Sequence, residues 1–132
     1  MNAPRVLIVD DNPLNVTLAR AILIAGGFEV ESAADAREAV QRIDAMRPEL
    51  ILMDIQLPGV DGLELTRQIK AEPSTRHIVI VAFTAFAMRG DEAKMRAAGC
   101  DGYVSKPIEV NRFAEQIREF LRSPTSASTE MR

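Results

Sequence analysis

The sequence predicts an α/β fold, a five-stranded parallel sheet with helices on both faces. Three observations point to it. Short aliphatic runs alternate with amphipathic helical patterns along the 132-residue chain, five times over, and five strand–helix units require crossover connections that cover the sheet. The runs differ in apolar density, which sorts inner strands from edge strands. Hydrophobic residues make up 47% of the chain and charged residues 27%, a composition that lets one domain of this size bury a core without disulfides or a structural metal.

Val6-Leu7-Ile8-Val9 is short, aliphatic and β-branched, as a strand buried on both faces requires. A helix is expected from about Pro13, with Leu14, Leu18, Ile22 and Ala25 facing inward and Gly26-Gly27 as its stop. Phe28 to Ser32 alternates apolar and polar residues, which predicts a strand with one wetter face. Asp35 and Glu38 then resemble a capping box, opening a helix that turns Ala36, Ala39, Val40 and Ile43 inward and closes at Pro48. Leu50-Ile51-Leu52-Met53 is the third strand run, followed by a loop with Pro58 and Gly59 and a helix near Asp61 to Ala71. Ile78-Val79-Ile80-Val81 is the fourth run, and a helix over about Met88 to Ala98 stops at Gly99. Tyr103-Val104 marks a short fifth strand. The last helix, expected over Glu109 to Arg122, carries Val110, Phe113, Ala114, Ile117, Phe120 and Leu121 on one stripe. The small polar stretch from Ser123 to Thr129 predicts a disordered tail over 123–132. One domain over 1–122 remains.

Runs one, three and four are the most apolar; runs two and five are alternating or short. The order 2-1-3-4-5 places those two weaker strands at the edges, so the expected architecture is a doubly wound (βα)5 three-layer sandwich of the flavodoxin-like kind. Sixteen basic residues against nineteen acidic give a net charge of −3, which provides no basic footprint for nucleic acid. The first apolar run is four residues long, too short for a signal-peptide core or a membrane span. Cys100 is the single cysteine and has no intramolecular partner, which suits a reducing compartment. A cytoplasmic location without membrane contact is expected.

In such a sheet, ligands bind beyond the carboxyl ends of the strands, where the strand order reverses between the first and third. Asp10-Asp11 end the first run, Asp54 the third, Thr84 the fourth and Ser105-Lys106 the fifth. A single aspartate after a strand is an ordinary turn former or helix cap. The set is different, because clustered carboxylates repel and raise one another's pKa. A hard divalent cation resolves that repulsion, and Mg²⁺ prefers oxygen ligands. A carboxylate beside such a cation is a nucleophile towards phosphorus. Lys106 can neutralise phosphoryl oxygens, Thr84 can donate to one, and Ala85 leaves steric room for the group. His77, the only histidine, lies before the fourth run and is expected to be exposed, while Cys100 is expected to serve packing.

Leu7-Ile8-Val9-Asp10-Asp11-Asn12, Leu52-Met53-Asp54-Ile55-Gln56-Leu57-Pro58, Thr84-Ala85 and Lys106-Pro107 together resemble the motif set of bacterial two-component response-regulator receiver domains, over roughly residues 5 to 122. The resemblance implies that Asp54 accepts a phosphoryl group from a phosphohistidine on a sensor kinase or histidine phosphotransfer protein. It implies that Asp11, Asp54 and the main-chain carbonyl of Gln56 bind Mg²⁺ (or Mn²⁺), with Asp10 acting through water. Thr84 and Tyr103 would form a switch pair, and Lys106-Pro107 would carry a cis bond. The stretches Phe83 to Asp91 and Tyr103 to Ile108 are similar to single-domain regulators of the DivK type and also to receivers attached to hybrid histidine kinases.

Other chemistries fit less well. A haloacid-dehalogenase-type phosphatase would place an acid/base aspartate at position 56, where this chain has Gln56. A flavin carrier would need a hydroxyl-rich phosphate loop after the first strand, where Asp11-Asn12-Pro13 stands, and no P-loop or glycine fingerprint follows any strand. Ten residues follow Arg122, too few for a DNA-recognition domain, so output is expected through a downstream protein partner or phosphoryl relay, from a monomer or weak dimer. Met1 and the polar tail suggest a complete chain; a receiver excised from a hybrid kinase is the alternative.

Overall fold

The computed structural model describes residues 3–57, 61–84 and 89–122; the expected loop residues Pro58 and Gly59, Ala85, the expected helix start at Met88 and the tail lie outside them. In chain order the elements are β1 (Arg5–Val9), α1 (Pro13–Ala25), β2 (Glu29–Ala33), α2 (Ala36–Met46), β3 (Leu50–Asp54), α3 (Gly62–Ala71), β4 (Val79–Thr84), α4 (Arg89–Ala98), β5 (Gly102–Ser105) and α5 (Phe113–Arg122). The strands form one parallel sheet in the order β2-β1-β3-β4-β5. β3 and β4 are buried throughout, while β2 and β5 each leave residues exposed at the edges, as their apolar densities require.

Strand alternation divides the core in two. Ile8, Leu52, Val81 and Val104 face α1 and α5, where Leu23, Phe113 and Ile117 close the layer. Leu7, Ile51, Met53, Ile80 and Ala82 face α2, α3 and α4, against Ile43, Leu65 and Met95.

Three helical expectations need correction. The inward face of α1 is Ala19 and Leu23, flanked by Val16 and Ile22, whereas Leu14 and Leu18 are exposed at 80% and 41%. Both stripes have helical spacing, and only the placement of the sheet selects between them. On α2, Ala39 and Ile43 are buried as expected but Val40 is exposed. The final helix starts at Phe113: Glu109 O accepts from both Arg112 N and Phe113 N, a separate turn that leaves Val110 outward. The capping box of α2 forms with Asp35 as the cap and Glu38 as its partner, the return bond alone reaching one residue further back. Asp35 Oδ1 accepts from Glu38 N at 2.8 Å, and Glu38 Oε1 accepts from Ala34 N at 2.7 Å.

Candidate functional site

The site lies at the carboxyl ends of β1, β3, β4 and β5. Asp10 follows β1 directly, its N–H donating to Ala33 O at 3.0 Å. Its Oδ1 accepts from Asn12 N at 2.9 Å, and Asn12 Oδ1 in turn accepts from Leu14 N and Asn15 N, capping α1. This turn buries Asp10 and leaves Asp11 exposed. Asp54 ends β3 and is 5% exposed. Its Oδ1 accepts from Gln56 N at 3.0 Å, which sets Oδ2 on the side of Lys106. Thr84 ends β4, also buried.

Lys106 closes the cluster from beyond β5. Its N–H donates to Thr84 O at 2.8 Å, and the Lys106–Pro107 peptide is cis. The ammonium lies 3.2 Å from Asp10 Oδ2 and 3.6 Å from Asp54 Oδ2. Strand parity explains the convergence. Asp10, Asp54 and Lys106 continue the alternation of Ile8, Leu52 and Val104, so all three leave the sheet on its α1/α5 side. Thr84 shares the parity of Ala82 and Tyr103, on the α4 side. Asp54 and Thr84 therefore approach the same rim from opposite faces of the sheet.

One lysine does not balance three carboxylates. Oxygens of Asp10, Asp11 and Asp54 lie within 4.8 Å of one another. Burial is the largest influence on Asp54 and raises its pKa; the Gln56 N–H and Lys106 pull it down, the Asp10 charge pushes it up, and the net direction is upward. Among the described residues, Asp10 Oδ2 is buried with an ion pair to Lys106 but no hydrogen bond. A buried carboxylate oxygen lacking a donor is costly. The all-oxygen donor set and this orphaned atom fit a hard divalent cation.

The structure thus gathers Asp10, Asp11, Asp54 and Lys106, with Gln56 in the adjoining turn and Thr84 at the rim. Tyr103 stands apart, its hydroxyl donating to Glu92 Oε1 on α4 at 2.9 Å. That bond raises the phenol pKa, with burial adding to it. His77 is exposed and Cys100 buried, the thiol pushed up to about 11 chiefly by burial, so neither adds a nucleophile here.

Sequence reasoning missed three residues. Gly62 opens α3 directly against the end of β3, where a Cβ would lie 2.2 Å from Asp54 O and 2.7 Å from Ile55 Cα. The glycine three positions after Pro58-Gly59 was the available signal, though its contact is tertiary. Glu92 and Phe83, which touch Tyr103 and Lys106 respectively, had no signal beyond their residue types.

Comparison with known proteins bears on this geometry. The profile of the response regulator receiver domain matches residues 6–118. Polar-differentiation response regulators DivK from Brucella anthropi and Brucella ovis are 49% and 48% identical over 116 residues, spanning 88% of this chain and 94% of theirs. A CheY-like receiver domain protein from Methanospirillum hungatei superposes with a TM-score of 0.84 at 30% identity, covering 95% of this chain and 98% of that one. The receiver domain of a sensor histidine kinase from Pseudomonas aeruginosa, which carries a magnesium ion in its active-site cleft, gives a TM-score of 0.82 at 35% identity over 92% of this chain and 99% of that one.

Proposed function

The chain belongs to the response regulator receiver domain family, and from that premise we propose that it is a phosphorylatable switch whose acceptor is Asp54. The observation that carries this reading is the buried Asp54 carboxylate, grouped with Asp10 and Asp11 and 3.6 Å from the Lys106 ammonium. An Asp54 oxygen attacks the phosphorus of a phosphohistidine; the new P–O bond forms as the P–N bond breaks, and the imidazole nitrogen leaves with the bonding pair. Gln56 N–H fixes the carboxylate plane, Lys106 faces the incoming anionic oxygens, and Thr84 supplies a hydroxyl at the rim. Asp11, Asp54, the Gln56 carbonyl and, through water, Asp10 would hold Mg²⁺, or Mn²⁺ in its place, which when bound neutralises phosphoryl charge.

The receiver spans residues 1–122 in this reading, with 123–132 as a tail. Its donor is a sensor histidine kinase or histidine phosphotransfer protein, and its output passes to a downstream protein partner without nucleic acid or membrane. The net charge of −3 supports the first exclusion; among the described residues, no helix is long and apolar enough to cross a membrane. A cytoplasmic monomer or weak dimer is proposed. Catalysis is limited to its own phosphorylation and dephosphorylation. Thr84 and Tyr103 act as the switch pair, the ring moving inward when the hydroxyl is drawn to the phosphoryl group. The 35% identity to a kinase receiver gives a second reading, a receiver working within a hybrid kinase, for which onward transfer to a phosphotransfer histidine is the mark.

Labelling by acetyl phosphate with Mg²⁺ tests the acceptor. The parent is expected to gain one acid-stable, base-labile phosphoryl group, and Asp54→Asn none. Normal labelling of Asp54→Asn would move the acceptor elsewhere.

A further inference from the structure

Lys106 has a third neighbour besides its two carboxylates. Its ammonium stands over the ring of Phe83, 4.8 Å from the centroid, inside the distance at which a ring face attracts a cation. Phe83 is fully buried, so the attraction is little screened by water. The ring packs against that of Phe113, centroid to centroid 6.1 Å at 37°, and Phe83 is the register partner of Asp54 across β3 and β4. Along the sheet face shared with Ile8, Leu52, Val81 and Val104, it is the one aromatic strand residue among those described. The other aromatic rings of this layer, Phe28, Phe113 and Phe120, come from outside the strands, and among the described residues Phe83 is the ring that meets the ammonium.

We infer that Phe83 is a positioning residue for phosphotransfer, its ring face holding the Lys106 ammonium between Asp10 and Asp54. This rests on the reading of Asp54 as phosphoacceptor. A long lysine side chain loses conformational entropy whenever it is held at one point. A further carboxylate would hold it but would repel an incoming phosphoryl group and deepen the charge imbalance of the site. A π face attracts the cation and adds no net charge. The ammonium is thereby set in advance where negative charge arrives, which is the condition for electrostatic preorganisation.

The test is the rate of Asp54 phosphorylation by phosphoramidate, a small donor that needs no partner protein. Phe83 is replaced by mono-, di- and trifluorinated phenylalanine, which withdraw charge from the ring face at nearly constant shape. Stepwise slowing is expected, reaching about fivefold in the trifluorinated protein, with the melting midpoint unchanged. In a Lys106→Ala background the residual rate should be indifferent to fluorination. Phe83→Leu provides a second readout: the ε-methylene proton resonances of Lys106, shifted upfield by the ring in the parent, should return towards ordinary lysine values. A labelled parent whose rate ignores fluorination, or the same fluorine dependence without Lys106, overturns the inference alone. A parent that is not labelled on Asp54 overturns the phosphoacceptor reading and the inference with it.

Discussion

Asp54 combines burial with negative charge, and that combination has a pH signature. Its folded pKa lies above the ordinary 3.8, chiefly through burial, so between the two values the native state binds more protons than the unfolded chain. Stability therefore falls as pH rises through that window, and the ionised carboxylate is a native-state penalty at neutral pH. Asparagine retains an oxygen for the Gln56 N–H, and Lys106 retains Asp10 at 3.2 Å. Metal-free Asp54→Asn is expected to melt above the parent at pH 7, and the margin should shrink as pH approaches the ordinary carboxylate range. A margin that stays constant with pH would show that charge is not its source. The same burial argument applies to Cys100, whose thiol at about 11 has little thiolate at neutral pH. It should resist a thiol reagent in the native state at pH 8 and react on unfolding.

At the scale of elements, two contacts tie helices to the site. α3 reaches Asp54 because Gly62 has no side chain, and Gly62 N donates to Ile55 O at 3.2 Å. The atoms that would meet a Cβ are backbone and have no rotamer into which to retreat. Gly62→Ala is expected to cost about 3 kcal/mol, the upper part of the usual single-substitution range, and chemical denaturation measures it; a cost near zero would mean that the β3–α3 turn yields easily. α4 is joined to β5 by the Tyr103–Glu92 hydrogen bond. The chain has one tyrosine and no tryptophan, so absorbance near 295 nm follows Tyr103 ionisation alone. Glu92 holds the phenol protonated, raising its pKa above 10, and this contribution to stability is lost as pH rises through the raised value. Glu92→Gln should return the titration towards 10, whereas an unchanged curve would place the ring away from α4 in solution.

For the whole molecule, the proposed metal site would link cation binding to folding. Asp54 is brought to the adjacent Asp10 and Asp11 only by folding, so its repulsion with them burdens the native state and a cation bound there would relieve it. Mg²⁺ at about one hundred times its dissociation constant should add roughly 2.7 kcal/mol to stability. Asp11→Asn should raise the metal-free midpoint and erase most of that increment, because a ligand and a repelling charge leave at once. Sodium chloride at matched ionic strength separates binding from screening. If Asp11→Asn melts lower without metal yet gains as much from Mg²⁺ as the parent, these carboxylates do not form one site.

Much of this was legible in the sequence for local reasons. Val6-Leu7-Ile8-Val9 and Leu50-Ile51-Leu52-Met53 are apolar on both faces, which only an inner strand of a covered parallel sheet satisfies; strand order followed from the weaker edges, and Asp10, Asp54, Thr84 and Lys106 followed from lying at strand ends. The residues themselves determined the elements, the layer arrangement and the rim where polar groups meet. Tertiary structure decided which helical stripe is buried, because Leu14/Leu18 and Ala19/Leu23 have equal periodicity and only the position of the sheet distinguishes them. It also decided what Gly62, Phe83 and Glu92 do. Each acts on a residue distant in the chain, Asp54, Lys106 and Tyr103 respectively, and such a contact has no period or motif to announce it.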